Sequence, residues 1–448
     1  MRERSSFPLL LTLGLGVFAG ALDLGVLSPA LPALGRAFHV ITGDLSWIFT
    51  VYLLVNVAAI AIAAALADRY GRRRIYMLSM STFAVGSIIT VAAPSFEFFL
   101  FGRAIQALGA GGLFPVATAA IGDVVPPSRR GSALGAIAAT WGLAAIAGPI
   151  LGGALAHALS WQWIFIANFP LAAIVLVLAR KYVPATAPQR RGPFDALGLF
   201  LLCFGLLCIV DGIVTARAAM AIAGCILFIG FLLRERATKN PILPVALLQT
   251  PQLLKTYALE LCIGVLEGSL FFIPTIVVHA QHVTLFAAGL IAALGAITFV
   301  IVIPFSGRAL DRIGSRDVLI AGAVLTEIGL AIFALGFGSL STTLVAMIVA
   351  GMGFGTLLGA PTRYIVTNET GPSRRAIAVG FLSQCLIIGQ ILGSALAGGV
   401  MSAARDEFAG YRLTYLAFCG IALLTLVVAS TLRTRVRERA APLEEAAP

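Results

Sequence analysis

The sequence predicts an all-α integral membrane protein with fourteen spans, arranged as two six-helix bundles plus two extra spans. Three observations predict it. The chain has 448 residues, of which 59% are hydrophobic and only 11% charged, and its mean hydropathy is +0.99. That composition belongs to a chain solvated by lipid rather than to a soluble domain with a large core. Long apolar runs of about membrane length alternate with short polar loops. One loop, Ala64-Ala-Leu-Ala-Asp68-Arg69-Tyr-Gly71-Arg72-Arg73-Arg74, returns as Gly307-Arg-Ala-Leu-Asp311-Arg312-Ile-Gly314-Ser-Arg316. Asp68 and Asp311 are 243 residues apart, so the chain reads as internally duplicated.

The elements follow in order. Residues 1–4 are basic, and an apolar run covers 8–34. Ala19-Gly20-Ala21 imitates a signal-peptide cleavage site, but the run continues well past a cleavable length. Further spans are expected at 45–67, 75–93, 98–121, 133–159 and 163–178, closing a first bundle within 1–183. A polar linker with prolines begins at 184, and two extra spans, 194–214 and 217–233, lie within 184–253. The second six occupy 254–432, with spans at 254–279, 285–305, 318–337, 340–365, 376–401 and 411–432. The charged tail, 433–448, is expected to be cytoplasmic and disordered.

Charge sets the topology. With the N-terminus inside, Arg36, Arg217, Arg405 and Arg412 fall outside, and Arg103 and Arg363 fall within spans. All the other Lys and Arg lie on the cytoplasmic side, which supports both termini inside and an even number of spans. It does not separate fourteen from twelve, but the two apolar runs in 194–233 argue for spanning. The net charge of +11 would suggest nucleic acid in a soluble protein. Here it sits in short loops facing lipid headgroups, so no nucleic-acid partner is expected. Cys203, Cys208, Cys225, Cys262, Cys385 and Cys419 lie inside apolar runs and read as packing residues. The histidines, His39, His157, His279 and His282, fall at span ends without metal-ligand spacing. No metal or cofactor is expected.

The duplicated loop admits two readings, a topogenic basic turn or a moving contact. Gly71 permits a sharp turn, and Asp68 can accept hydrogen bonds from nearby amides and guanidinium groups. Both copies resemble the signature of the major facilitator superfamily. The resemblance implies that Asp68, Arg69, Gly71, Arg72, Arg73, Asp311 and Arg312 latch the two halves in the outward-facing state. Internal repeats of this kind are how many secondary transporters are built.

The spans add further motifs. Asp23 lies about 22 Å into the first helix, at about 1.5 Å per residue, where an ionisable side chain is costly. It either serves function or bonds a neighbouring helix. Ala21-Leu-Asp23 with Leu27-Ser-Pro-Ala-Leu-Pro32 resembles the first helix of the fourteen-span drug:proton antiporter branch, and Asp23 matches its acid. Arg103-Ala-Ile-Gln106-Ala-Leu-Gly109-Ala-Gly111 is similar to that family's RxxQGxG motif, with Ala107 in place of the first glycine. The resemblance ties Arg103 to proton coupling. On physical grounds a permanent charge there needs a carboxylate, a cavity or backbone carbonyls. Gly148, Pro149, Gly152 and Gly153 resemble the antiporter motif associated with export. Ser160-Trp-Gln162-Trp-Ile-Phe-Ile-Ala-Asn168-Phe-Pro resembles the same branch, with Gln162 in place of an arginine, and its tryptophans are ordinary interfacial anchors.

Glu260 and Glu267 are seven residues apart and share a helical face. Glu267 lies roughly 18 Å into its span, near the midplane, where it could hold a proton or attract a cation. Glu260 is shallower and could simply bond a neighbour. Glu327, mid-span, reads as structural and Asp211 as interfacial. No nucleotide-binding loop and no nucleophile–base pair is visible, so an ATP-driven pump and a membrane lipid enzyme are disfavoured. The resemblance implies a multi-pass protein of a bacterial cytoplasmic membrane, whose partners are small-molecule substrates, protons and lipids. Exchange of protons for hydrophobic or cationic compounds is the leading expectation. Export of a lipid, siderophore or metabolite is the sibling reading.

Overall fold

The computed structural model describes residues 7–185, 195–238, 248, 250–370 and 375–434, with the side chains of residues 127, 128, 131 and 376 set aside. The basic start, most of the linker after 184, the polar stretch 239–247 and the tail from 435 lie outside the described residues. The described residues form helices and no strands. Among the described residues, fourteen helices are long and apolar enough to cross a membrane. They are α1 (Phe7–Phe38), α2 (Ser46–Tyr70), α3 (Arg72–Val91), α4 (Phe96–Val124), α5 (Ser132–Ala158), α6 (Gln162–Tyr182) and α7 (Ala196–Val214). The chain continues through α8 (Ala218–Ala237), α9 (Pro251–Gln281), α10 (Leu285–Ile313), α11 (Ser315–Gly336), α12 (Leu340–Glu369), α13 (Ile377–Ala403) and α14 (Glu407–Ser430).

Side chains close several of these helices at their starts. Ser95 accepts from the Phe98 amide at 3.3 Å, Thr250 from Leu253 at 3.4 Å and Asp406 from Ala409 at 2.7 Å. Each bond satisfies a backbone donor that the helix leaves unpaired. α1 and α9 run further than the apolar pattern suggests. A 3₁₀ turn at Ser28–Ala30 carries α1 past Pro29, and another at Ser269–Phe272 carries α9 to Pro274.

The duplication is visible in the backbone. α1 ends at His39, with φ 55°, and α9 ends at His282, with φ 54°. Gly71 has φ 93° and Gly314 has φ 91°, a region that strains any other residue. Their amides close on Ala67 and Leu310 at 3.0 Å each. Both pairs are 243 residues apart.

The chain divides into two compact units. The first comprises Met1–Val40, Trp47–Phe194 and Thr284–Leu290. Within it α3 packs along α4, and α1 along α5. The α1–α5 contact is close because Gly148 and Gly152 present no side chain to the α1 backbone at Gly25 and Val26. A Cβ on Gly148 would meet Gly25 Cα at 2.8 Å, and one on Gly152 would meet the Val26 carbonyl carbon at 2.6 Å. Such approach of small residues is how membrane helices gain packing energy without a hydrophobic drive.

The second unit comprises Ile41–Ser46, Asp195–Val283 and Ile291–Pro448. α9 lies along α13, and α11 along α12 and α14. Gly264 and Gly268 of α9 meet Gly389 and Gly393 of α13, where a Cβ on Gly389 would lie 2.8 Å from Gly264 Cα. Gly25 and Gly268 are 243 residues apart, so the duplicated halves use the same close seam. α7 and α8 pair as a hairpin stapled at one end by Asp195. Its carboxylate accepts from Arg234 Nη2 at 2.8 Å, the Gly198 amide at 2.9 Å and Thr238 Oγ1 at 3.2 Å. Burial works against its charge. The bonds from Arg234, Gly198 and Thr238 outweigh that and hold the carboxyl below the usual carboxylate range. The staple therefore holds above the usual carboxylate range and loosens as pH falls through the lowered value.

Two outcomes follow from this packing. Gly148→Ala and Gly152→Ala should each cost on the order of 1–3 kcal/mol, as overpacking does, and lower the melting temperature of purified protein. Gly135→Ala, where nothing lies within 4 Å, should leave it unchanged. In a background without the six native cysteines, Thr215→Cys, between α7 and α8, should react with an impermeant thiol reagent added outside. Labelling from the cytoplasmic side alone would remove α7 and α8 from the spans.

Candidate functional site

The first unit encloses a polar cluster at membrane depth. Asp23 on α1 and Arg103 on α4 are both fully buried, and Arg103 Nη1 donates to Asp23 Oδ2 at 2.5 Å. The same nitrogen donates to Gln106 Oε1 at 2.5 Å, and Gln106 Nε2 donates to Asp23 Oδ1 at 2.7 Å. Arg103 and Gln106 stand three apart on one face of α4, so one helical turn presents a cation and an amide to the same carboxylate. Gln106 Nε2 also donates to Ser87 Oγ on α3 at 2.9 Å, and Asn168 Nδ2 on α6 donates to that oxygen at 3.2 Å. The guanidinium carbon of Arg103 lies 4.2 Å from the ring centroid of Tyr52 on α2. Among the described residues, Arg103 Nε and Nη2 have no hydrogen-bond acceptor. Gly25, two residues after Asp23, is held by the Gly148–Gly152 seam, which fixes the depth at which the acid sits.

The second unit carries acids without such a partner. Glu267 lies 244 residues after Asp23, just before the 3₁₀ turn that corresponds to the one in α1. Its Oε2 accepts from Gln390 Nε2 of α13 at 2.8 Å. Ala346 stands 243 residues after Arg103, so the second half lacks the equivalent cation. Glu260 is buried beside Thr362 and Arg363 of α12. Its Oε2 is buried without a hydrogen-bond partner among the described residues. Glu327 on α11 is half-buried near Cys419 of α14, and its Oε2 has no hydrogen-bond partner among the described residues.

At the first duplicated loop, Arg72 Nη1 pairs with Asp68 Oδ1, one helical turn away. Arg72 Nε also donates to Asp123 Oδ2, at the end of α4, at 3.2 Å. Asp68 and Arg72 are buried, Arg73 is half-buried, and Arg69 is exposed, with its guanidinium 5.7 Å from the Tyr70 ring centroid. At the second loop Asp311 and Arg312 are exposed, and Ser315 takes the place of Arg72. Pro149 lies inside α5, and a Cβ on Gly153 would meet the Leu285 carbonyl at 2.6 Å.

Asp23 and Arg103 are thus brought into direct contact, and Asp68 with Arg72. Sequence reasoning missed Tyr52, Ser87, Asp123 and Gln390, and it gave Gln106 and Asn168 no role beyond motif membership. The signal available was a polar side chain inside an apolar run, which marks a span for inspection but names no partner.

A family model described as Major Facilitator Superfamily matches residues 13–233 and 258–448. The MFS-type transporter YfiU of Bacillus subtilis (strain 168), itself uncharacterized, is 31% identical over 411 residues, covering 88% of this chain and 79% of that protein. The tetracenomycin C resistance and export protein of Streptomyces glaucescens is 28% identical over 417 residues, covering 88% and 76%. Among solved structures, a D-xylose-proton symporter superposes with a TM-score of 0.73 at 13% identity, covering 97% of this chain and 99% of that one. The fourteen apolar helices, the twice-used glycine loop and the family match agree, and the chain belongs to the Major Facilitator Superfamily.

Proposed function

We propose that this multi-pass membrane transporter exports hydrophobic or cationic small molecules in exchange for protons, by alternating access between two six-helix halves. The observation that carries the reading is the buried Asp23–Arg103–Gln106 cluster. A carboxylate at membrane depth is costly unless a cation or a proton relieves it. Asp23 can exchange one for the other, because Arg103 holds the charged form and protonation releases the pair. Proton coupling then needs no further chemistry: binding of substrate and loss of the proton become linked through one carboxyl group. The export direction is supported by the name of the Streptomyces glaucescens relative and by the Gly148–Gly153 motif.

Glu267 and Glu260 are the acids of the second half in this reading. Without an equivalent of Arg103, Glu267 is suited to a proton or to a cationic substrate. Asp68, Arg69, Gly71, Arg72 and Arg73, with Asp311 and Arg312, form the cytoplasmic latches that set the access equilibrium. The protein resides in a bacterial cytoplasmic membrane with both termini inside, among lipids that cover its exposed apolar faces. Nothing in this reading calls for catalysis or a cofactor.

Sealed inside-out vesicles with an acid interior and no nucleotide test it. Wild type should accumulate ethidium or tetraphenylphosphonium, and an uncoupler should abolish the accumulation. Asp23→Asn should lose it. Glu267→Gln should reduce uptake of tetraphenylphosphonium more than uptake of a neutral hydrophobic probe. Asp68→Asn should slow turnover at near-normal expression. Accumulation by Asp23→Asn at the wild-type rate would remove that residue from the coupling.

A further inference from the structure

Arg103 poses a problem that its partner solves only while that partner is ionised. It is a permanent charge with no exposure to solvent. While Asp23 is ionised, the pair is balanced. Once Asp23 takes up a proton, Arg103 loses its counter-anion while it remains buried. Its Nη1 keeps the neutral Gln106 oxygen, and its Nε and Nη2 have no acceptor among the described residues.

Aromatic rings beside Arg103 also attract a cation. Tyr52 of α2 is buried, and its ring lies with its centroid 4.2 Å from the guanidinium carbon. Phe165 is the next aromatic ring, at 5.8 Å. The negative face of an aromatic ring attracts a cation most strongly where both are desolvated. The Tyr52 hydroxyl donates to the Gly20 carbonyl at 3.4 Å, one turn before Asp23 on α1, which ties the ring to the helix that carries the acid.

We infer that Tyr52 is a positioning residue for proton exchange, its ring face holding the Arg103 guanidinium in place when Asp23 is protonated. The step is a proton transfer alone: a proton arrives on Asp23 Oδ2, the Arg103–Asp23 ion pair opens, and the guanidinium stays charged over the ring. The ring contact is present beside the closed ion pair. Once the anion is neutralised, the ring and Gln106 carry more of the guanidinium's stabilisation, so removing the ring costs the protonated state more. Asp23 should then take up its proton only at lower pH. The inference rests on the reading that Asp23 carries the proton.

The test reads the acid itself and needs no substrate. Purified full-length protein is titrated from pH 4 to 10 by infrared difference spectroscopy, and the Asp23 carboxyl band is the one absent from Asp23→Asn. Tyr52→Phe, which keeps the ring, should leave the midpoint within about 0.3 pH units of wild type. Tyr52→Leu should lower it by about one unit, the order expected for a desolvated cation–ring contact. If Tyr52→Leu does not fold, 3,4,5-trifluorophenylalanine at position 52 takes its place. It keeps the shape, weakens the ring's negative face and should move the midpoint the same way. A purely structural tyrosine would lower melting temperature without moving the midpoint, and an unmoved midpoint overturns the inference alone. Absence of any Asp23 titration in wild type overturns the coupling reading and this inference together.

Discussion

A permanent positive charge sealed inside a helical bundle governs the first half of this protein. Arg103 is a permanent charge with no exposure to solvent, so the surrounding helices must answer it. They do so from four directions: Asp23 on α1, Tyr52 on α2, Gln106 on α4 itself, and the Ser87–Asn168 pair that holds Gln106 from α3 and α6. Removing one partner of such a buried pair leaves an uncompensated charge and costs about 3–5 kcal/mol. In the proposed exchange, a proton that neutralises Asp23 would change the balance around Arg103.

The ion pair depends on where α1 lies. Gly148 and Gly152 admit the α1 backbone at Gly25 and Val26, a register that brings Asp23 level with Arg103. The second half repeats the device with Gly264 and Gly268 against Gly389 and Gly393, and there it places Glu267 against Gln390. The halves share geometry and differ in charge. Asp23 faces a guanidinium, and Glu267 faces an amide. Duplication kept the frame, in the His39–His282 and Gly71–Gly314 backbone pairs, while the chemistry of each half diverged.

The spans were legible because lipid imposes a length and forbids charge, and the loops because arginine is expelled from hydrocarbon. Asp23 and Arg103 were legible singly for the same reason: a charge in an apolar run stands out. Their contact was not, since 80 residues separate them and pairing depends on how α1 meets α4. Tyr52 and Ser87 were invisible because a tyrosine or a serine is unremarked in a span. Asp123 lies just past the expected span 98–121, where an acid carries no signal, yet it completes the Arg72 contact. Pro29 sits in a 3₁₀ turn of α1 and Pro274 opens the last helical segment of α9, so neither proline ends its helix.

The central claim is that Asp23 gives up a proton when substrate binds. Purified protein in weakly buffered detergent solution, titrated with tetraphenylphosphonium or ethidium while pH is recorded, measures this directly. The account predicts acidification by wild type and none by Asp23→Asn. Equal proton release from the two proteins would contradict it and move the exchange site to another carboxyl group.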